Sequence, residues 1–346
     1  MATEPATEFA LEGPAAFEEE AKRAKVAGLG PWRLALRRLR RNKSALAFGA
    51  LFLLIVAICL AAPYWADHIA HTDPFKNHLT DRVEVGGETK DVVSPDGAPI
   101  GPTWHGRFFL GADTNGRDIA VRLLYGGRTS LEIGIGAALI TALLSVIFGV
   151  MAGYFRGIAD TVISRSLDLI WSFPVVLLGV ALGTALALGG LKIGPIEIQG
   201  DSKLIPTLII AVVYIPYMAR PIRGQVLGLR EKEFVEAARA QGAGPVRIMF
   251  TEILPNLSST IVVFLPLMIA NAILLEAALS FLGAGVRPPN PSWGTMIGDG
   301  VEKIITAPHL AIVPGLVLVL TVLALNVFGD GVRDALDPRA KLHLEH

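Results

Sequence analysis

EFVEAARAQGAGPVRIMFTEILPN, residues 233–256, is a polar segment set between two long apolar runs, and its reading decides what those runs are. Glu231 to Gln241 is rich in strong helix formers, which predicts a short helix. Gly242 suits the left-handed position just past a helix end, and Gly244 follows it as a second breaker. Pro245 then stands where a first-turn proline is tolerated, opening a second helix through Ile253. On the first helix Phe234, Ala237, Ala238 and Gln241 share one face, a single bulky anchor among small neighbours. Helices shorter than about 12 residues rarely persist alone, because nucleation is costly, so this one is expected to dock onto something. A solvated amphipathic loop between two spans is the plainer alternative.

The chain has 346 residues, 52% of them hydrophobic, and a mean hydropathy of +0.52. That balance belongs to polytopic membrane proteins rather than to soluble domains. The net charge is zero, so the total implies neither an acidic nor a basic partner. A single cysteine, Cys59, lies in an apolar run, which excludes an intrachain disulfide and argues against a cysteine metal site.

Six runs approach the ~20 apolar residues that a span needs. They are Ser44–Ala66, Ile133–Phe155, Leu169–Leu191, Leu204–Ala219, Ile253–Leu275 and Leu310–Gly329. The fourth is short, holds Pro206 and Pro216, and is completed by residues near Arg220, whose side chain can snorkel. Six spans put both termini on one side. With the N-terminus inside, 20 of the 31 Lys and Arg fall on inner segments, which agrees with positive-inside. Arg117, Arg122 and Arg128 run against the rule locally. Segment 233–256 then falls in the cytoplasm, a placement that was not built into its own reading.

The remaining segments divide as follows. Residues 1–20 carry six acidic residues and no Lys or Arg, and are expected to be disordered. Residues 21–43 carry nine Lys and Arg and no acid, and Trp32, Leu34, Leu36 and Leu39 among the arginines suggest an interfacial amphipathic helix rather than a nucleic-acid arm. These make residues 1–43 a cytoplasmic tail before a first transmembrane helix at 44–66. Residues 67–127 form an extracytoplasmic region in which 83–102 reads as a small hairpin or a loop. Within 110–134 a turn and an amphipathic helix on the outer surface are expected before the second span. Asp113, Asn115 and Asp118 fail the EF-hand pattern, so no metal site is expected there. Residues 128–330 are the core of five helices, with the loop 220–256 inside it, and 331–346 are a cytoplasmic tail. Leu344-Glu345-His346 resembles the stub of a purification tag.

Several motifs resemble one family. Glu236-Ala237-Ala238, then Gly242, then Leu254-Pro255 are similar to the EAA loop of ABC-importer membrane subunits, with Glu252 departing from the aliphatic residue many members have. Gly111, Asp113, Gly116-Arg117-Asp118, Arg122, Gly127, Arg128, Ser130 and Leu131 resemble the dipeptide, oligopeptide and nickel permeases, with Ala112 and Val121 departing from the usual Thr and Ser. Ser280 to Gly285, Pro288 to Gly294, and the closing Gly329-Asp330-Gly331 through Arg339 extend the likeness, which covers roughly residues 35–340. The segment Gly189–Lys203 is longer than usual for the family. The resemblance implies an all-α polytopic membrane protein, the six-helix transmembrane domain of a type I ABC importer, in the cell inner membrane with both termini cytoplasmic. It implies a second permease subunit, two ATPase subunits or domains, and an extracytoplasmic solute-binding protein. Di- or oligopeptides are the leading solute class, with nickel chelates or other small solutes behind. It also implies that Phe234, Glu236, Ala237, Ala238, Gln241, Gly242, Leu254 and Pro255 couple this subunit to the ATPase.

No G-x-x-x-x-G-K-[ST], G-x-S-x-G, H-E-x-x-H or CxxC occurs. The chain is therefore not expected to be an enzyme or to need a cofactor, and ATP is expected to be used by partner subunits. Ionisable and amide groups near the spans carry a functional prior. Asp168, Asn271 and Glu276 are candidates for lining the translocation path, against the alternative that they sit at an interface or bond a neighbouring helix. Pro174, Pro266 and Pro314 mark possible kinks. Gly149 with Gly153, and Gly179 with Gly183, suit close helix packing. An ion-coupled secondary transporter would use broken helices in inverted repeats, a pattern absent here.

Overall fold

The structure is a computed structural model that describes residues 31–337. The expectations for residues 1–30 and 338–346, including the acidic tail and the terminal stub, lie outside the described residues.

The chain opens with α1 (Pro31–Leu39), which buries Ala35 and half-buries Leu34, Arg38 and Leu39. Asn42 caps α2 (Lys43–Leu60) by accepting from the Ala45 amide. A short helical turn and a π-turn through Ala70 follow, then a hairpin of β1 (Arg82–Val85) and β2 (Glu88–Asp91). α3 (Ile119–Phe155) comes next, then α4 (Gly157–Trp171) and α5 (Val175–Gly189). A second hairpin, β3 (Leu191–Ile193) with β4 (Ile196–Ile198), follows α5. α6 (Leu204–Leu229) leads to α7 (Glu233–Ala240). α8 (Leu254–Phe281), α9 (Trp293–Val301) and α10 (His309–Leu336) complete the described chain.

Among the described residues five helices are long and apolar enough to span a membrane, and six if the pair α4–α5 counts as one span. That pair corrects the third expected run. Leu169–Leu191 is not one helix, because the chain bends by 88° between α4 and α5. Proline disfavours helical backbone in the residue before it and supplies no N–H, so Phe173-Pro174 ends α4's line and starts α5's. Hydropathy is blind to this break, since both sides are uncharged.

A second correction concerns residues 110–134. No separate surface helix forms; α3 runs 37 residues without interruption from Ile119. Its first turns are buried because glycines let neighbours close in. A Cβ on Gly127 would stand 2.4 Å from Cys59 Sγ and 2.8 Å from the Trp293 ring, and one on Gly126 3.2 Å from the Ser292 backbone.

Helix directions follow from named contacts. Thr141 on α3 donates to the Ala211 carbonyl of α6 at 3.1 Å, and Ser145 to the Ile215 carbonyl at 3.1 Å. The offset is constant, so α3 and α6 run parallel. Gly149 and Gly153 continue the seam: a Cβ on Gly149 would lie 2.8 Å from the Ala219 carbonyl, and one on Gly153 2.7 Å from Val226. The small-residue packing expected of this pair is what the structure shows. α8 runs antiparallel to α6, since Tyr214 bonds the Asn271 carbonyl while Gln225 bonds Thr260. α10 returns along α8 and α2, with Gly329 against Pro266 and Gly331 against Ala45. Arg38 of α1 donates to the Asp337 carbonyl at 2.8 Å, tying α1 to the end of α10.

At the opposite end, Asp118 caps α3 by accepting from Val121 and also takes the Phe108 amide at 2.6 Å. Burial pushes its carboxyl above the ordinary value, against the amides that hold it down. Asp113 accepts from Arg117 at 2.7 Å, and Arg122 donates to the Pro74 carbonyl at 3.0 Å. Nearby, Thr72, His78, Asp81 and Arg107 form a chain of polar contacts, with Arg107 donating to Asp81 at 2.7 Å and His78 Nδ1 at 2.8 Å from the same oxygen. Arg107 and His78 hold the Asp81 carboxyl below its ordinary 3.8. A carboxyl depressed in the folded state contributes stability above its unfolded pKa and loses it as pH falls through the folded one. Arg107→Gln removes the largest cause. Acid loosening of this loop, followed by hydrogen exchange, is expected at higher pH in the variant; coincident profiles would refute the assignment.

Candidate functional site

The segment that opened the sequence reading is a docked, capped helix. α7 ends in a Schellman pair: the Gly242 amide donates to the Arg239 carbonyl at 2.9 Å and the Ala243 amide to the Ala238 carbonyl at 3.0 Å. Gly242 has φ +82°, the left-handed region the motif demands. Gly244 then occupies the N-cap position and Pro245 the first turn of the next helix. That helix does not end at Ile253. It passes through a π-turn at Met249–Ile253 straight into α8, so Leu254 and Pro255 are the first turn of a span.

Val235 anchors α7 and is fully buried with Ile248, Ile253, Leu257, Val226 and Tyr154. The sequence reading missed it, although its bulk among small neighbours was the available signal. Ala238 also turns inward, half-buried against this cluster, and so leaves the outer face on which it was expected. Phe234, Glu236, Ala237, Gln241 and Gly242 are exposed. Val246 and Phe250, 62% and 64% exposed, add apolar surface that the sequence reading did not single out. Arg230 donates to the Tyr154 carbonyl and Arg156 pairs with Glu231, which fixes the knob to the end of α3. The Arg239 guanidinium lies 5.7 Å from the centre of the Tyr154 ring.

Asp168, Asn271 and Glu276 do not converge. Glu276 is 0% exposed, so it does not line an open surface of this chain. Its Oε1 accepts from Ser280 at 2.7 Å, and its Oε2 has no hydrogen-bond partner among the described residues. It sits where α8 meets α9: Ser280 Oγ also takes the Val286 amide at 3.0 Å, Ser292 caps α9, and buried Trp293 donates from its amide to Ser130 and from its indole to the Leu123 carbonyl. Ser280→Ala strips a donor from a buried acid. It is expected to cost about 1–3 kcal/mol, seen as a lower unfolding temperature in detergent, and an unchanged transition would refute this role. Asp168 lies in the last turn of α4, exposed, and accepts from Arg220 at 2.6 Å. Asn271 is half-buried, and its carbonyl takes the Tyr214 hydroxyl at 3.3 Å. Among the described residues no group of three or more His, Cys, Asp or Glu could hold a metal ion.

Several packed apolar helices carry one exposed, capped knob, and the comparisons give the class of this arrangement, a membrane permease subunit. The chain belongs to the family of binding-protein-dependent transport system inner membrane components, whose model matches residues 145–342. The N-terminal transmembrane domain of oligopeptide transport permease C matches residues 30–81. The chain is 37% identical over 311 residues to the glutathione transport system permease protein GsiD of Pectobacterium atrosepticum, covering 90% of this chain and 92% of that one. It is 35% identical to the dipeptide transport system permease protein DppC of Alkalihalophilus pseudofirmus, over 90% and 91% of the two chains. With the di/tripeptide transport system permease protein DppC of Pseudomonas aeruginosa the identity is 36%, over 87% and 89%. A solved chain from inward-facing MetNI methionine ABC transporter structures superposes with a TM-score of 0.50 at 20% identity, over 62% of this chain and 95% of that one, a likeness of fold.

Proposed function

We propose that this subunit forms half of the pore of an ATP-driven importer, with a second permease as the other half, and that short peptides, glutathione among them, are its solutes. The knob end of the helices is cytoplasmic, with both termini on that side, and the β1–β2 end faces the solute-binding protein. Phe234, Glu236, Ala237, Gln241, Val246 and Phe250 enter a cleft on an ATPase subunit, while Val235 and Ala238 hold α7 to the spans. Leu254 and Pro255 pass the displacement directly into α8. ATP binding closes the ATPase pair, carries the knob, and moves the packed spans between two arrangements. Hydrolysis belongs to the partners.

The observation that carries this reading is the knob itself. Its inner side is buried against the spans, its outer side exposes Phe234, Val246 and Phe250, and it leads into a span. The relatives named for glutathione and dipeptide transport support the solute class. The test is co-expression with the second permease, ATPases and binding protein, then uptake of labelled dipeptide and glutathione into vesicles. ATP-dependent uptake of either is expected. Full-rate uptake without any ATPase would overturn the proposal.

A further inference from the structure

We infer that the groove between α8 and α10, lined by Asn326, Asp330 and Arg333 on one side and by Val263, Phe264 and Leu267 on the other, is a binding site for a phospholipid with a phosphoethanolamine headgroup. The site does not depend on which solute the subunit carries.

The groove encloses about 200 Å³. It opens beside the point where α10 meets α8, a Cβ on Gly329 standing 3.1 Å from the Pro266 side chain. Its depth in the bilayer follows from three helices. The apolar run of α10 ends at Gly329, and Asp330 and Arg333 come directly after it. α8 passes from Ser258, Ser259 and Thr260 into unbroken apolar sequence at Ile261, and Val263, Phe264 and Leu267 belong to the first turns of that stretch. α2 starts at Lys43, and Gly331 packs against its Ala45. The three boundaries coincide, so the groove lies where headgroups give way to acyl chains. Toward mid-bilayer the same face of α10 continues as the exposed Leu323, Leu320 and Leu316. Asp330 and Arg333 are exposed, and among the described residues neither pairs with the other or with any third group. By contrast Arg220 and Arg223, at the same end of α6, pair with Asp168 and Asp160.

A phosphoethanolamine lipid answers each of these groups. Its phosphate accepts from the planar fork of the Arg333 guanidinium in charge-assisted hydrogen bonds. Its ammonium donates to the Asp330 carboxylate and to the Asn326 amide oxygen. An acyl chain lies on Phe264 and Leu267 or along the leucines of α10. A phosphocholine head has no N–H to donate, so both acceptors would lose their hydrogen bonds. A purely anionic head would satisfy Arg333 and set a second negative charge beside Asp330. An apolar helix of another subunit would bury both charges without partners, which is strongly disfavoured. A lipid held here clamps α8, the span into which the knob leads, to α10, whose end Arg38 ties to α1.

The test uses the complete transporter in phosphatidylcholine nanodiscs that hold a fixed trace of phosphatidylethanolamine with a diazirine in one acyl chain. Cross-linked peptides are mapped by mass spectrometry. Illumination is expected to mark residues 263–267 or 316–323 of this chain. Exchanging part of the phosphatidylcholine for unlabelled phosphatidylethanolamine is expected to lower that labelling several-fold, while phosphatidylglycerol leaves it unchanged. Residues 46–54 of α2, whose exposed leucines meet bulk lipid, are the reference and should label equally in all three bilayers. Asp330→Asn and Arg333→Gln are each expected to bring groove labelling down to that reference. Groove labelling that both lipids lower alike, or that neither lowers, means bulk lipid only and overturns the site. No labelling in the groove while α2 is labelled means that another subunit covers it, and overturns the site as well. The competition is read on the unaltered chain, so the result stands whether or not a variant assembles.

Discussion

Gly242→Val is expected to cut solute uptake by the assembled transporter about tenfold or more while the subunit still inserts and its partners still hydrolyse ATP. The motive is backbone geometry alone. Gly242 has φ +82°, and a Cβ there would meet nothing within 4 Å, so crowding plays no part. A side chain in the left-handed region costs about 1–2 kcal/mol, and a β-branched one stands at the upper end. Relief comes by giving up the two amide bonds that close the end of α7. The knob then loses its direction relative to α8 while Val235 stays buried. The expected order of uptake is wild type, then Gly242→Asn, then Gly242→Ala, then Gly242→Val, because asparagine tolerates this conformation best among non-glycine residues. Since 1.4 kcal/mol is about a tenfold change, the valine variant should fall by roughly tenfold or more. Wild-type uptake by it would remove the knob from the mechanism.

The double change Gly149→Leu with Gly153→Leu is expected to prevent folding outright. Both positions abut α6, one against a carbonyl and one against a valine, with no flexible tip to move aside. Separating the helices would also break the Thr141 and Ser145 bonds to the carbonyls of α6. Overpacking in a tight core costs about 1–3 kcal/mol per site, and here two sites share one seam. The measurement is the yield of monodisperse protein after extraction in mild detergent. Gly224→Leu serves as the contrast: it lies on the same helix pair's open side, where a Cβ meets nothing, and should extract normally. Equal yields for the two would mean that the seam does not hold the fold.

What the sequence disclosed and what it hid follow from the kind of information each feature uses. Spans α2, α6, α8 and α10 are written in hydropathy, and the end of α7 in one glycine followed by a proline. The hinge before α5 is written only in Phe173-Pro174, within a run whose uncharged residues read as continuous. The first turns of α3 hold Arg122, a charge that runs against burial when the sequence is read alone. Their burial depends on α9 and Trp293, more than 160 residues away in the chain. Glu276 could be recognised as unusual but not placed, because its neighbours Ser280 and Val286 become informative only once the chain turns back at the end of α8. Val235 and Ala238 both form the inner face of α7 for a similar reason: one helical face is defined by what it meets, and Tyr154 comes from another span.

The 88° elbow before α5 has a consequence for the lipid that surrounds the protein. α5 has 15 residues, which at 1.5 Å each reach about 22 Å, against roughly 30 Å of hydrocarbon in an ordinary bilayer. The shortfall falls on one leg of the bundle, and tilting cannot remedy it, since tilt only shortens the reach. A bilayer of long, stiff acyl chains would have to thin locally around that leg, whereas shorter chains would match it without strain. Membrane thickness thereby becomes a mechanical input, and it acts first on the hinge at Ser172 to Pro174.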